Sequence, residues 1–392
     1  MKKLLHLSAA LSACTLLGYG VAQANSPYIS KVYDFRPAPG QFVNELPEYE
    51  PGDTHATMLI KATEQIAGDR APGMISLGAY GGYVVFGFDH PVVNKAGERD
   101  FKIYGNALIS DRDNRGGSSE PGIVMVSADT NGNGLPDDPW YELAGSEYTK
   151  ETTVKNYRLT YYAPDPSHAA DPDPDDRYVT DRTYIRWTSN DAGQPEGYVA
   201  RNSYHPQSYW PEWIEEKTME FEGTKLADNY VDISGDGSYF VLLFHDWGYA
   251  DNLPNNEDKG FDIDWAVDSD GKPAKLDKID FVKVYTGVNQ CCGRLGETST
   301  EISGAEDLHP DISGSVQTVG ADRELLLLTA SDNNGISVRT SAEALEYRVI
   351  SASGASVGAG CLYAGENRID TSALAPGIYL LHTSAGSLKF IR

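Results

Sequence analysis

The chain has 392 residues, 40% of them hydrophobic and 23% charged, which supplies a real core and excludes a disordered chain. Its 57 acids against 32 bases leave a formal charge of −25, a field that repels phosphate backbones and excludes nucleic-acid binding through a basic face. Tyrosine (24) outnumbers phenylalanine (11) and glycine is frequent (39), a balance that favours sheet faces and turns over dry helical cores.

At the N-terminus Lys2 and Lys3 precede an apolar run from Leu4 to Val21, and Ala22-Gln23-Ala24 fits the small-x-small cleavage rule. Residues 1–24 therefore read as a signal peptide cut before Asn25. Leu11-Ser12-Ala13-Cys14 also matches a lipobox, but cutting there would leave Leu16-Leu17 and the later site unused, so a soluble product is the preferred reading. No later run reaches the ~18 apolar residues of a membrane span.

From Asn25 to Gly52 the chain is extended, with Pro37, Pro39 and Pro47 barring a helix. Asp53-Thr54 offers an N-cap, and Met58, Leu59, Ala62 and Ile66 recur at helical spacing up to Gly68, which predicts one helix. Strands follow at 74–77, 83–88, 101–104, 123–126, 157–162, 184–187, 239–244, 261–265 and 281–285, short and bounded by turn residues. Pro164, Pro166, Pro172 and Pro174 among aspartates make 163–176 a surface loop. Many short strands with almost no helical period predict a β-sandwich. Residues 311–323 are polar and glycine-punctuated, a linker, and 324–392 return to strands in a small β-sandwich of their own.

The sharpest motif is Asp129-Thr-Asn131-Gly-Asn133-Gly134-Leu135-Pro-Asp137-Asp138. Oxygen side chains at positions 1, 3 and 5, a glycine at 6, the Leu135 carbonyl at 7 and an acid at 9 follow the calcium-loop pattern. Trp140 replaces the usual Glu at 12, so Asp138 or Glu142 would complete the shell. A strand rather than a helix leads in, as in calcium loops grafted onto β-proteins. The competing reading is a tight Asx-rich turn. The acid excess itself fits either calcium binding or simple solubility.

Asp232-Ile-Ser234-Gly-Asp236-Gly237 matches the same pattern in part, but Phe240 at position 9 favours a plain hairpin turn. Asp100, Asn106 and Glu120, at predicted strand ends, either line a second ion site or ligand edge or cap strands. Tyr204, Tyr209, Trp210 and Trp213, with Trp247 further on, are flat rings beside polar groups, suited either to stacking on a ligand or to the sandwich core and rim.

Catalytic signals are thin. The eight histidines are scattered, no Cys/His spacing reads as zinc, and His245-Asp246 has no third partner legible in the sequence. Gly354-Ala-Ser356-Val-Gly358 matches a nucleophile elbow only by chance, lacking the strand-to-helix context. Besides Cys14 there are only Cys291, Cys292 and Cys361, too few for a disulfide framework; the adjacent pair is a vicinal disulfide, or one of the two pairs elsewhere, or both are thiols.

The closing segment is similar to the C-terminal sorting domain of the type IX secretion system of the Bacteroidetes. Gly365-Glu-Asn367-Arg-Ile369-Asp370, Leu374-Ala-Pro376-Gly377-Ile378-Tyr379 and the terminal Leu388-Lys389-Phe390-Ile391-Arg392 carry the likeness. It implies passage across the outer membrane by that machinery. The body resembles a family of Bacteroidetes cell-surface proteins through Pro39-Gly-Gln-Phe-Val-Asn44, Asp100-Phe-Lys-Ile-Tyr-Gly-Asn106, Glu120-Pro-Gly-Ile-Val-Met-Val-Ser127, the calcium-type loop and Gly287-Val-Asn-Gln290. Some members accompany cobalamin-uptake genes, and a broader likeness is to secreted jelly-roll modules.

The expectation is thus an all-β protein: a jelly-roll-like sandwich over 25–310 with one short helix, then a small Ig-like sandwich. It would be a non-catalytic, calcium-stabilised surface or extracellular protein. Calcium would sit at Asp129, Asn131, Asn133, Leu135, Asp137 and Asp138. A glycan or corrinoid would lie on Tyr204, Tyr209, Trp210, Trp213 and Trp247. The rivals are a glycan hydrolase using Asp246 or Glu120 and a structural or adhesive component.

Overall fold

The computed structural model describes residues 25–310 except 70 and 72, and residues 326–392 except 333–334, 352–354, 376 and 384–385. The expected signal peptide (1–24) and linker (311–323) lie outside the described residues, as does Gly354 of the Gly-x-Ser-x-Gly run. Asn25–Pro310 forms one compact unit, and the chain beyond Pro310 belongs to a second.

The protein is all-β, with paired strands running antiparallel and a single α-helix among the described residues. In the body, a six-stranded sheet runs in the order Lys31–Arg36, Tyr83–Val93, Lys278–Thr286, Gly122–Ser127, Tyr141–Leu143, Ala266–Val267. Its strand Tyr83–Val93 lies between two others, and residues 84–88 are buried without alternation. That is why Val84-Val85-Phe86 reads as a continuous apolar run. A four-stranded sheet, ordered Glu196–Asn202, Val179–Ser189, Val154–Tyr162, Thr218–Lys225, does alternate: Tyr157, Leu159, Tyr161, Met219 and Phe221 point inward and their neighbours outward.

The inward residues of both sheets share one core. Tyrosines stitch the layers together. Tyr161 Oη donates to the Tyr80 carbonyl at 3.1 Å, and Tyr285 Oη accepts from the Thr224 amide at 2.8 Å. A buried hydroxyl is tolerated only with such a partner, so Tyr takes core positions here where the backbone of the facing layer is within reach.

The predicted helix is present as His55–Ile66, and Thr54 caps it by accepting from the Thr57 amide. Met58, Ala62 and Ile66 form its buried stripe, and Thr63 Oγ1 accepts from Val32 N at 3.1 Å, seating it on the first strand. One expected strand is corrected. Residues 261–265 form only a bridge at Phe261 followed by a 3-10 turn, Ile263–Trp265, because Asp262 accepts from the Asp264 amide and curls the chain. The proline-rich stretch 163–176 carries no strand.

In the second unit the long strands Gly335–Ser351 and Ser356–Asp370 pair along their length. The first half of Gly335–Ser351 also pairs with Leu326–Asp332, and its second half with Ile378–Thr383, which continues to Gly386–Ile391. The register slips between Thr340 and Ala344, opposite Gly365 (φ 100°), where Asn367 closes the bend by bonding the Tyr363 amide and carbonyl. Residues from both halves then meet in one small core: Ile336, Val338, Val349, Leu381 and Phe390 among them. Several residues of the sorting-type motif thus hold turns and ends; Gly377 and Arg392 exchange both backbone hydrogen bonds at 2.9 and 3.0 Å. No helix among the described residues is long and apolar enough to cross a membrane.

Candidate metal centre

Three acids far apart in sequence converge in the body: Glu120, Asp251 and Glu301 each place a carboxylate oxygen within 4.8 Å of the others. Glu120 precedes the strand Gly122–Ser127, and its amide donates to the Asp251 carbonyl at 2.9 Å. Glu301 opens the short strand Glu301–Ile302. Asp251 sits in a loop at φ 52°, a left-handed conformation that Asp adopts more readily than most residues. That pose turns its carboxylate onto three amides: Oδ1 accepts from Asn106 N (2.7 Å) and Ala107 N (2.9 Å), and Oδ2 from Glu301 N (3.0 Å). The close approach requires Gly105, where a Cβ would lie 2.2 Å from Asp251 Oδ1.

The remaining oxygens are only partly satisfied. Glu301 Oε1 accepts from the Ser299 hydroxyl, which also meets Ser76 Oγ at 2.9 Å, and Glu301 Oε2 faces Asn106 Nδ2 at 3.4 Å. Glu120 Oε1 accepts from Ser299 N at 3.3 Å. Asn106 Oδ1 is buried and has no partner. Asp251 and Glu301 are buried, at 3% and 4% exposure, and Glu120 keeps a partly open edge. No lysine or arginine among the described residues pairs with any of the three acids.

Burial, reinforced by the neighbouring Glu301 charge, pushes Glu120 and Asp251 well above the usual carboxylate range; in Asp251 the amide bonds oppose that push. Burial raises Glu301 as well. Like charges so close cannot all stay ionised without a proton or a cation among them. The donors fit a hard cation. They are all oxygen, and oxygens bound to one calcium ion at ~2.3–2.6 Å stand no more than ~5.2 Å apart, a limit that carboxylates within 4.8 Å of one another meet. Asn106 Oδ1 adds a neutral oxygen that lacks any other use.

Asn106 and Glu120, singled out in the sequence, belong to this centre. Asp100 does not: its carboxylate accepts from Lys95 N and Ile263 N, each at 2.8 Å, and ties loops together. Asp251 and Glu301 escaped the sequence reading, because neither stands in a spaced motif and only the fold brings them together.

The loop 129–138 folds around Asp129, whose carboxylate accepts from Gly132 N, Asn133 N and Gly134 N at 2.7–3.1 Å. Asn131 and Asn133 both turn their side-chain amides to Asp137, and those bonds lower its pKa. Asp138 points instead at Thr130, and the Leu135 side chain is exposed. The 232–237 loop, expected as a plain hairpin, does join the paired strands Tyr230–Asp232 and Phe240–Leu243. Yet it has the same backbone: Asp232 accepts from Gly235 N and Gly237 N, and φ is 73° and 76° there against 71° and 72° at Gly132 and Gly134.

The expected aromatic platform is corrected. Tyr209, Trp210 and Trp213 are 0%, 7% and 7% exposed and belong to the core. Asn44 pins their segment inward, donating to the Ser208 and Trp210 carbonyls and accepting from Glu212 N. Tyr204 stacks on Tyr178 at 5.2 Å, and Trp247 tilts against Trp265 at 4.4 Å, so the two exposed rings have different partners. His245 and Asp246 form no dyad. His245 Nδ1 lies 3.6 Å from Glu147, burial lowers its pKa, and Asp246 is exposed. Cys291, Cys292 and Cys361 are thiols, and burial pushes Cys292 up to about 12.

No family model and no curated protein matches the chain. Among solved structures, a β-glucuronidase of Faecalibacterium prausnitzii aligns over 76% of this chain and 47% of its own, with 9% identity and a TM-score of 0.16. A Parabacteroides merdae β-glucuronidase with glycerol in its active site aligns over 94% and 34%, with 7% identity and a TM-score of 0.13. The chain spans less than half the length of these enzymes, and likeness at that level carries no argument for its activity.

Proposed function

We propose that this chain is an exported, non-catalytic binding protein of the cell surface or medium, whose β-sandwich body is held together by calcium and captures a glycan or corrinoid nutrient. The observation that carries the reading is the convergence of Glu120, Asp251 and Glu301 with no basic partner among the described residues. Calcium would be held there by the three carboxylates and Asn106 Oδ1, and would supply positive charge to acids that otherwise repel. The loop 129–138 is the second candidate, where Asp129 accepts from backbone amides of the turn and the Asn131 and Asn133 side chains both meet Asp137.

Export rests on the signal-peptide pattern and the likeness of 365–392 to type IX sorting domains. The hydrolase reading has less support: Asp246 lies exposed without a catalytic partner, and Glu120 is engaged in the buried triad. The test is metal content. Full-length protein purified without chelator should carry at least one calcium per chain by elemental analysis, and Glu301→Gln should lose one equivalent. Metal-free protein whose melting temperature ignores added calcium would sink the reading.

A further inference from the structure

The strand Ser356–Asp370 pairs with Gly335–Ser351 and with no other described strand, so its far side is a sheet edge. Residues 356–365, Ser-Val-Gly-Ala-Gly-Cys-Leu-Tyr-Ala-Gly, carry no charge and no proline, the residues that commonly blunt such an edge. Two features close it at specific points. The Asn367 side chain takes both backbone groups of Tyr363, and Val357 is the extra residue where the register slips between Val349 and Ile350.

Bonded to Asn367, the Tyr363 N–H and C=O face away from Gly335–Ser351. The register is unbroken from Tyr363, opposite Ala344, to Gly358, opposite Val349. The two-residue alternation of an antiparallel ladder therefore turns the N–H and C=O of Cys361 and Ala359 outward as well. These four groups are the open stretch of the edge.

The same alternation sets Val357, Ala359, Cys361 and Tyr363 on one face, opposite to the buried Leu362. All four are exposed, and Val357 (44%) and Tyr363 (61%) are large apolar side chains left in water. On the neighbouring strand Arg348 lies opposite Ala359 and Glu346 opposite Cys361. Both are exposed, and neither forms an ion pair with any described residue.

An antiparallel second copy answers all of these features in one register. With Ala359 opposite Cys361 of the second copy, and the reverse, four backbone hydrogen bonds close around a two-fold axis at Gly360. Val357 then stands opposite Tyr363 of the second copy on both sides of the axis, a favourable aromatic–β-branched pair. Each row across the face reads Glu346, Cys361, Ala359, Arg348, with opposite charges at its ends and two small side chains between. Sliding the copies by two residues either way sets Glu346 against Glu346 or Arg348 against Arg348, and meets the occupied Tyr363 or the bulge.

We propose that this chain associates with a second copy of itself along the edge 356–363, antiparallel, with Ala359 facing Cys361. The inference is independent of the metal and ligand readings above.

The test uses the full chain. Sedimentation velocity across a concentration series should show a reversible dimer by about 0.5 mM, as a small interface gives. Ala359→Pro removes an outward N–H, which an edge strand tolerates, and should abolish the dimer with the melting temperature unchanged. Glu346→Arg should weaken association about 3- to 10-fold by facing Arg348 of the second copy, and adding Arg348→Glu should restore it. Ala359→Cys should form a disulfide with Cys361 of the second copy when treated with oxidised glutathione, which leaves as two reduced thiols. That cross-link should vanish with Cys361→Ser. In the wild type the two Cys361 Cα atoms stand roughly 8 Å apart in this register, too far for a direct bond. A chain monomeric at that concentration would overturn the proposal and leave the edge to a strand of another protein. A dimer that ignores Ala359→Pro and the charge exchange, and gives no 359–361 cross-link, would overturn the surface.

Discussion

Asp251 and Glu301, 50 residues apart, hold each other in place: the Glu301 amide donates to Asp251 Oδ2 at 3.0 Å, so the backbone of one acid orients the carboxylate of the other. Both then direct charge at Glu120 inside a region with little water to screen it. An arrangement of this kind is stable when a cation or a proton sits among the oxygens, and each alternative leaves a measurable trace.

If a cation is the answer, chelation should destabilise the fold. A ligand at ~100 times its dissociation constant contributes ~2.7 kcal/mol, which for a body of this size corresponds to a drop in melting temperature of roughly 4–5 °C on adding EDTA. Glu301→Gln should remove most of that calcium-dependent shift, whereas Asp129→Asn in the surface loop should remove a smaller part. A shift retained in full by Glu301→Gln would place the ion elsewhere.

Glu297 gives a further pH signature, to which the nearby Glu301 charge adds. Its Oε1 accepts from Gln41 N at 2.7 Å, its Oε2 is buried without a partner, and burial raises its pKa to about 8. From the unfolded value near ~4.5 up to about 8, the folded state keeps a proton that the unfolded chain has released. Stability therefore falls as pH rises through that window and levels off above it. Glu297→Gln should flatten this slope and gain on the order of a few kcal/mol at pH 8 relative to wild type, read by urea melts at pH 5 and 8. Equal slopes in the two proteins would refute it.

The closeness of the two body sheets can be probed at Gly81. At φ 85° it sits where a Cβ would come within 2.3 Å of Phe221 Cβ, so Gly81→Ala should cost roughly 3 kcal/mol or more from strain and overpacking together. Gly132→Ala, at φ 71° with nothing within 4 Å, should cost only about 1 kcal/mol. Chemical denaturation that ranks them the other way would contradict the packing described.

Export predicts a cellular phenotype. In a host with type IX machinery, the full chain should reach the surface or medium, and a chain lacking residues 324–392 should accumulate in the periplasm. Fractionation and immunoblotting distinguish the two, and equal release of both would remove the sorting role.

Local chemistry was legible because it is written in neighbouring residues. The Thr54 cap, the 58–62–66 stripe and the glycine-bounded apolar strands each depend on atoms a few positions apart. So does the 129–138 turn. The strand expected at 261–265 failed because one side chain, Asp262, accepts from the Asp264 amide two residues on and overrides the apolar pattern.

The sequence by itself therefore determined an all-β chain with one helix, an acidic surface and the turns at Asp129 and Asp232. It also carried the patterns of an export signal. Tertiary structure alone decided which acids meet and which rings face outward. Asp251 and Glu301 became partners of Glu120 because a left-handed loop residue and two strand ends arrive at one point, and no spacing rule encodes that. Tyr209, Trp210 and Trp213 turned inward because Asn44, more than 160 residues earlier in the chain, holds their backbone. Burial depends on what the rest of the chain covers, so only the folded whole could separate core from site.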